Sequence, residues 1–401
     1  MELKQEKKVN TNQKLDGILG ILKGSFQKYS MYFFLAIIMI AFQIMTDGVL
    51  LKPLNITNII LQNSYILILA IGMVILIILG DIDLSVGSIA AFIGALSAIF
   101  TIKMGMSTPL AIVLCLLIGI AIGAFQGFWV AFVKVPAFIA TLAGMLIFRG
   151  LTIVALDGKS LAPFPGSFQQ ISSGFLPDIS SGGGLHLVSL IVGIITACLF
   201  VWFSFRNRQK KATYGFPLES KALFYTKIVL VIAMLGWFTY IMASYEGFPN
   251  VLIILAVLIM VYRFVTNKTT VGRYVYATGG NEKAAALSGI KTKQIKFIMF
   301  MNMGLLSSIA GIIFSARLNA ATATAGNGFE LDAIAACYIG GASAYGGVGT
   351  VLGAIIGGLV MGVLNNGMSL MGIGVDWQQA IKGMVLLLAV AFDIYNKNKG
   401  K

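Results

Sequence analysis

Few residues in this chain could do chemistry, and their placement argues against catalysis. Asp81 and Asp83 flank Ile82 at the end of an apolar run. Carboxylates there could carry a coupling proton or cation if they stood in a membrane pathway. Two acids one residue apart at a turn also act as capping groups, and Leu84-Ser85-Val86-Gly87 opens the next apolar run, so capping is the role the spacing favours. His186 is the single histidine and stands at the edge of an apolar stretch, which leaves no base–nucleophile pair and no histidine metal site. Cys115, Cys198 and Cys337 all fall in apolar segments, form no CxxC pair and read as small buried hydrophobes. No Walker A lysine motif is present, so the chain is not expected to hydrolyse ATP itself. No catalytic residue, cofactor site or metal site is expected. Arg149 and Lys382, the basic residues inside apolar spans, can snorkel toward an interface.

The elements that would position these residues are set by hydrophobicity. Of 401 residues 58% are hydrophobic and only 11% charged, and the mean hydropathy is +0.90. A soluble domain carries about 25% charged residues. The composition therefore implies an all-α polytopic membrane protein. Twelve apolar stretches can be drawn: 31–49, 58–79, 84–100, 108–131, 136–155, 186–204, 226–244, 248–266, 295–315, 331–346, 349–371 and 377–394. A crossing takes about 20 residues, so 331–346 is short, and about 10–12 transmembrane helices are expected. All eight prolines lie at segment ends or in loops. The stretch 157–185, rich in Ser, Gly and Pro, is a long outer loop of the kind that is either flexible or functional.

The net charge of +14 could suggest nucleic acid, but its distribution indicates topology instead. With the N-terminus inside, the inner segments and their edges hold 23 of the 29 Lys and Arg, whereas the acids divide almost evenly. Lys and Arg set orientation. Both termini are therefore expected in the cytoplasm, with residues 1–30 as a basic cytoplasmic segment containing a short surface helix over 16–28. Residues 31–401 are expected to form one transmembrane domain, with a basic cytoplasmic loop at 205–227 and a second cytoplasmic loop at 267–297. The polar N-terminus shows no cleavage site of a signal peptide.

That second loop, from Gly272 to Phe297, reads as turn, short helix, turn. Gly279-Gly280 should break whatever precedes it. Asn281 is a good N-cap, Glu282 suits the positive helix end, and Gly289 is placed as a C-cap glycine. A helix of two turns is marginal alone, and its small face of Ala284, Ala285, Leu287 and Ser288, then Ile290, suits docking. A solvated connector is the alternative. Two glycine-rich turns also look related. Gly80 to Ile89 and Gly340 to Val351 both end in V-G-[S/T]-[I/V], and matched interruptions of apolar segments can mark a substrate path. Gly340 to Gly358 holds eight glycines in nineteen residues. Close helix packing accounts for many of them. A helix broken at Gly346-Gly347 beside a pathway is the other reading.

The loop residues Gly279-Gly280-Asn281, Ala284-Ala285 and Ser288-Gly289-Ile290 resemble the coupling loop of the ribose/xylose-type permeases of ABC sugar importers. The turn Asp83-Leu84-Ser85-Val86-Gly87-Ser88 is similar to that family's DLSVGS turn. Val135-Pro136-Ala137-Phe138-Ile139-Ala140-Thr141-Leu142, with Arg149-Gly150-Leu151, resembles its VPxFIxTL…RGL stretch. Gly340-Gly341-Ala342-Ser343 and Gly346-Gly347-Val348-Gly349-Thr350 resemble its GGxSxxGGxGT stretch. The extra apolar material of residues 187–250 is similar to the xylose and multiple-monosaccharide branch rather than to the shorter ribose permeases.

The resemblance implies a type II-like ABC importer permease in the cell membrane. Two copies of it would enclose one pathway, with a separate ATPase subunit and an extracytoplasmic sugar-binding protein. It implies no cofactor in this chain and no nucleic-acid partner. It places ATPase coupling on Gly279, Gly280, Asn281, Glu282, Ala284, Ala285, Ser288 and Gly289. The pathway or its broken helices would involve Asp83, Ser85, Gly87, Gly340, Gly341, Ser343, Gly346, Gly347 and Gly349. Sugar choice would lie mainly in the binding protein. The competing expectation is an ion-coupled sugar carrier, which needs carboxylates in mid-membrane, and the sequence places its acids near span ends or in loops.

Overall fold

Hydrocarbon offers no partner to a backbone N–H or C=O, so a chain this apolar satisfies its backbone within helices. The computed structural model describes residues 31–179, 184–218 and 220–399. The basic segment 1–30 and its expected helix lie outside the described residues. Each of the twelve apolar stretches forms a helix. In chain order these are α1 (Met31–Met45), α2 (Pro53–Ile78), α3 (Val86–Ala98), α4 (Thr108–Phe128) and α5 (Ala137–Leu156). After the short α6 (Gly166–Ser173) come α7 (Leu187–Thr213), α8 (Lys221–Ala243) and α9 (Asn250–Lys268). Two further short helices, α10 (Thr270–Gly280) and α11 (Glu282–Leu287), precede α12 (Thr292–Leu318). The last are α13 (Phe329–Ile339), α14 (Val351–Leu370) and α15 (Val375–Lys399). Among the described residues nine helices are long and apolar enough to cross a membrane. Nine is one fewer than the lowest count expected; the three apolar helices outside it are α1, a short apolar helix, α13, with only 11 residues, and the C-terminal α15.

α2 is the axis of the bundle, with α9, α12, α13 and α14 packed around it. Its middle and C-terminal residues from Ile66 to Leu79 are almost fully buried. Between helices in lipid the driving force is close packing and polar pairing. Both are present. Asn55 of α2 and Asn366 of α14 exchange two amide hydrogen bonds, of 2.8 and 3.0 Å. α4 lies backbone to backbone on α12 where Gly119 and Gly123 meet Gly304 and Phe300. α7 and α8 form a peripheral hairpin, joined where Gly193 admits Thr239. The basic stretch expected as a loop over 205–227 is mostly helical: α7 continues to Thr213, and Arg206, Arg208, Lys210 and Lys211 stand on its last turns.

The bundle has two ends. α10 and α11 define one, called here the loop end. The opposite end is capped by 157–179, where Phe168 is fully buried beneath a stacked Phe164 and Leu161 pairs with Ala321. The long Ser/Gly/Pro stretch is therefore a folded cap over its described residues. His186 has a structural job there: its Nδ1 accepts from the Ser189 N–H at 3.2 Å and caps α7, while Nε2 lies 3.0 Å from the Leu176 carbonyl. Cys115 and Cys337 are buried as expected, but Cys198 is exposed on α7.

Two helices begin in the interior. Asp81 is ion-paired to Lys296 near the start of α12, whereas Ala90 lies against Gly311 of the same helix. Lys296 and Gly311 are separated by a rise of about 22 Å along α12. The chain covers that rise between Asp81 and Ala90 because residues 81–85 are not helical and run upward into the bundle. α3 thus starts about halfway across. α13 starts at the same level, since Gly326, just before it, meets Gly87 backbone to backbone. From that meeting point α3 runs to the opposite end and α13 returns to the loop end.

Candidate functional site

At the loop end the short helix α11 forms because its ends are chemically closed. The Asn281 side chain accepts from the Ala284 N–H at 3.0 Å. Gly289 takes φ +85°, a left-handed conformation that a side chain disfavours. Of the apolar face read from sequence, only Ala285 is buried, at 4% exposure, and it anchors the helix. Ala284, Ser288 and Gly289 are exposed, and Leu287 stands out at 90% exposure. α11 therefore presents its large apolar residue away from its own chain.

Gly279-Gly280 does not break the preceding helix. α10 runs through both glycines and ends at Asn281, whose φ of −159° is extended. The reason is tertiary. A Cβ on Gly279 would collide with the Ile78 carbonyl and press on the Gly347 nitrogen. Glycine is required for close approach, and the loop end is thereby clamped to α2 and to the second glycine turn.

That second turn, 340–350, lies wholly at the loop end. Gly341, Gly346 and Gly347 have φ of +81°, +79° and +74°. The Gly347 N–H donates to the Ile78 carbonyl at 2.8 Å, and the Tyr276 hydroxyl donates to the Gly349 carbonyl at 2.7 Å. Ser343 N–H donates to the Val348 carbonyl at 2.9 Å, and Ser343 Oγ accepts from the Tyr345 N–H at 3.2 Å. Gly340 packs on Gly353 at the foot of α14. The pathway candidates of this turn thus sit with α10 and α11, away from Asp83, Ser85 and Gly87.

The first turn joins the two levels. At its foot Lys296 Nζ bridges Asp81 Oδ2, at 3.4 Å, and Glu282 Oε2 of α11, at 3.1 Å. Burial pushes the Asp81 carboxyl above its ordinary range, and Lys296 opposes the rise. These groups border an open cleft of about 710 Å³ between α11 and the α4–α5 turn, also lined by Lys134, Lys283 and Lys293. Higher up, Asp83 is 1% exposed. Its Oδ1 accepts from the Ser85 N–H at 2.8 Å and from the Ser85 hydroxyl. Ser85 in turn accepts from Gln126 Nε2 at 2.8 Å, and Thr141 Oγ1 accepts from the Leu84 N–H at 3.1 Å. These bonds replace the helical ones that residues 81–85 lack. Gln126, an amide inside the apolar run of α4, was absent from the sequence reading although its isolation there is a visible signal.

The acids are less peripheral than the sequence suggested. Glu330 and Asp332, in the first turn of α13, are buried, as is Asp83. Lys382 does not snorkel away: its Nζ donates to both carboxylate oxygens of Asp332, at 3.1 and 3.2 Å. Arg149 Nη1 donates to Asn327 Oδ1 at 3.1 Å. Among the described residues no cluster of three or more His, Cys, Asp or Glu is arranged to hold a metal ion.

Residues 55–390 match the family model described as branched-chain amino acid transport system / permease component. The chain is 43% identical to the xylose transport system permease protein XylH of Haemophilus influenzae over 375 residues, which is 93% of this chain and 97% of that protein. It is 40% identical to the Escherichia coli K12 protein of the same name, over 96% of this chain and 95% of the relative. Against the ribose import permease protein RbsC of Escherichia coli K12 the identity is 37%, over 84% and 85%. No solved structure matches the chain significantly.

Proposed function

The chain belongs to the family of transport-system permease components, and from that premise we propose that it is the membrane subunit of an ABC importer for xylose or several monosaccharides. It is a multi-pass inner-membrane transport subunit and not an enzyme. Its partners are an ATPase subunit, which would hydrolyse ATP, and an extracytoplasmic sugar-binding protein. A second copy of the chain completes the pathway. The loop end faces the cytoplasm together with both termini, a reading supported by the charge distribution and by the alternation of the helices. Residues 31–401 act as one permease unit.

The observation that carries the coupling role is α11 itself. A capped helix exposes Leu287 while Glu282, through Lys296, holds the foot of the 81–85 segment. ATP-driven closure of the ATPase would push on α11, and Gly279, clamped to Ile78 and Gly347, would pass the motion to α2 and the second turn. Gly279, Gly280, Asn281, Glu282, Ala284, Ala285, Ser288 and Gly289 form this coupling site. Gly289→Pro tests it. Proline is confined to φ near −65°, and Gly289 also donates its N–H to the Ala286 carbonyl at 3.0 Å. The exit of α11 is redirected, while insertion, which depends on the apolar spans, survives. The expected outcome is loss of sugar uptake and of ATPase pull-down at equal membrane content. Normal binding and normal uptake would reduce α11 to a connector.

The buried carboxylates Asp83, Glu330 and Asp332 give the ion-coupled alternative a foothold. Vesicles holding this chain alone are expected to take up no sugar under a proton or sodium gradient, and uptake there would favour that alternative.

A further inference from the structure

Arg149 lies about 18 Å along α5 from its start at Ala137, near the middle of the bundle. Its neighbours on α5, Leu146, Ile147, Leu151 and Val154, are 42–75% exposed. A cation at that depth is costly against hydrocarbon. The Arg149 side chain instead turns to the segment that precedes α13. One guanidinium nitrogen, Nη1, is used on Asn327 at 3.1 Å. The other, Nη2, is buried with no hydrogen-bond partner among the described residues. Glu330, three residues beyond Asn327, is 7% exposed, and its Oε2 is likewise buried and unpaired. Through its bond to Asn327, Arg149 is held a short stretch of chain from Glu330. Oε2 stands at the meeting of α3 and α13, where a Cβ on Gly87 would collide with it.

A purely structural strut accounts for the Arg149–Asn327 bond. It leaves Nη2 of the guanidinium and Oε2 of the carboxylate buried without a hydrogen-bond partner among the described residues, and an unmade bond on a buried charged group is costly. A cation would satisfy Glu330 and be repelled by Arg149, and an anion the reverse. A hydroxyl donates and accepts, so a neutral molecule with neighbouring hydroxyls serves both groups. We propose, resting on the sugar-permease reading above, that Arg149, Asn327 and Glu330 form a transit site for a neutral monosaccharide, with Nη2 donating to one hydroxyl and Oε2 accepting from another. Asn327 positions the guanidinium through Nη1.

The test uses the full permease reconstituted in proteoliposomes with its ATPase and binding protein. Uptake of xylose, ribose, arabinose, galactose and glucose identifies the sugar carried best by the wild type. Glu330→Gln and Arg149→Lys are then compared with wild type for uptake of that sugar and for ATP hydrolysis stimulated by the binding protein. Each variant is expected to lower uptake about tenfold, the loss of one hydrogen bond to a charged group, with ATP hydrolysis within about twofold of wild type. Analogues lacking one hydroxyl should be taken up more slowly by wild type, and one of them should lose nothing further in the variant. Wild-type uptake by both variants overturns the proposal. So does a parallel fall in uptake and hydrolysis, or failure of both variants to assemble, since either outcome marks a strut. If one variant fails to assemble, the other carries the test. Absence of ATP-dependent uptake of any sugar by the wild-type complex overturns the permease reading itself and the site with it.

Discussion

At Val86-Gly87-Ser88-Ile89 a four-residue pattern starts α3 in the middle of the bundle, and at Val348-Gly349-Thr350-Val351 a near copy starts α14 at the loop end. The surroundings differ at every matched position. The first turn is held mainly by side chains, Asp81 to Lys296, Asp83 to Ser85, Ser85 to Gln126 and Leu84 to Thr141, with Gly87 against the Gly326 backbone at its upper end. The second is held mainly by backbone against backbone, at Gly347–Ile78 and Gly340–Gly353, with the Tyr276 hydroxyl on the Gly349 carbonyl and Ser343 Oγ on the Tyr345 N–H as its side-chain bonds. A side-chain network can be rearranged by moving Lys296 or Glu282. A backbone clamp moves only as a unit. Under the coupling proposed above, the second turn would transmit displacement from α10 and the first would respond to it in mid-membrane.

The sharpest way to break this contrast is the shared glycine. A Cβ at Gly87 meets the Gly326 carbonyl and the Glu330 carboxylate, and the backbone there has no room to yield. The nearest atoms to a Cβ at Gly349 are Ile78 Cγ1 at 3.0 Å, Val74 Cγ2 at 3.2 Å and Ile78 Cδ1 at 3.3 Å, all side-chain atoms that can shift. Gly87→Ala is expected to cost about 3 kcal/mol or more and to abolish uptake, and Gly349→Ala under about 1 kcal/mol. Thermal unfolding in one detergent, beside uptake, compares them. Equal losses would mean that the two turns are sterically equivalent.

Ser85→Ala comes next. The hydroxyl is shared between Asp83 and Gln126, and its removal leaves both buried groups short of a bond. A cost of about 1–3 kcal/mol is expected, and Gln126→Leu in the same background should recover part of it. If Ser85→Ala leaves the unfolding midpoint unchanged, the side-chain network is not what holds the first turn.

How far the sequence reveals these arrangements depends on range. The caps of α11 were legible because Asn281 and Gly289 act on residues within one turn of themselves. The path of α10 through Gly279-Gly280 was not, because its cause is the Ile78 carbonyl, 201 positions away in the chain. Hydropathy located the twelve apolar helices but not the short polar α6 and α10, and depth was hidden. Nothing local distinguishes Gly87 from Gly349, so both turns read as one pathway. The same blindness placed Glu330 and Asp332 at a span edge. Only the pairing of Asp332 with Lys382 and the approach of Gly326 to Gly87 carry them inward.

The smallest effect, at the third matched pair, asks whether the motif keeps one energetic role. Thr350 is the N-cap of α14, and its Oγ1 accepts from the Gly353 N–H at 3.0 Å. Ser88 occupies the equivalent place but lies inside α3, where its hydroxyl donates to the Ser85 carbonyl at 2.8 Å. That carbonyl also accepts from the Ile89 N–H at 2.8 Å, so it stays satisfied without Ser88. Thr350→Ala removes the partner of an otherwise free N–H in the first turn and should cost about 1 kcal/mol, with Thr350→Ser restoring most of it. Ser88→Ala removes a bond that the helix does not need, and the change should be about 0.5 kcal/mol or less. Unfolding midpoints of the three variants, purified in one detergent, separate the cases. A drop in Ser88→Ala as large as in Thr350→Ala would show that the shared hydroxyl does the same work in both turns, and the contrast drawn between them would have to rest on Gly87 and Ser85 alone.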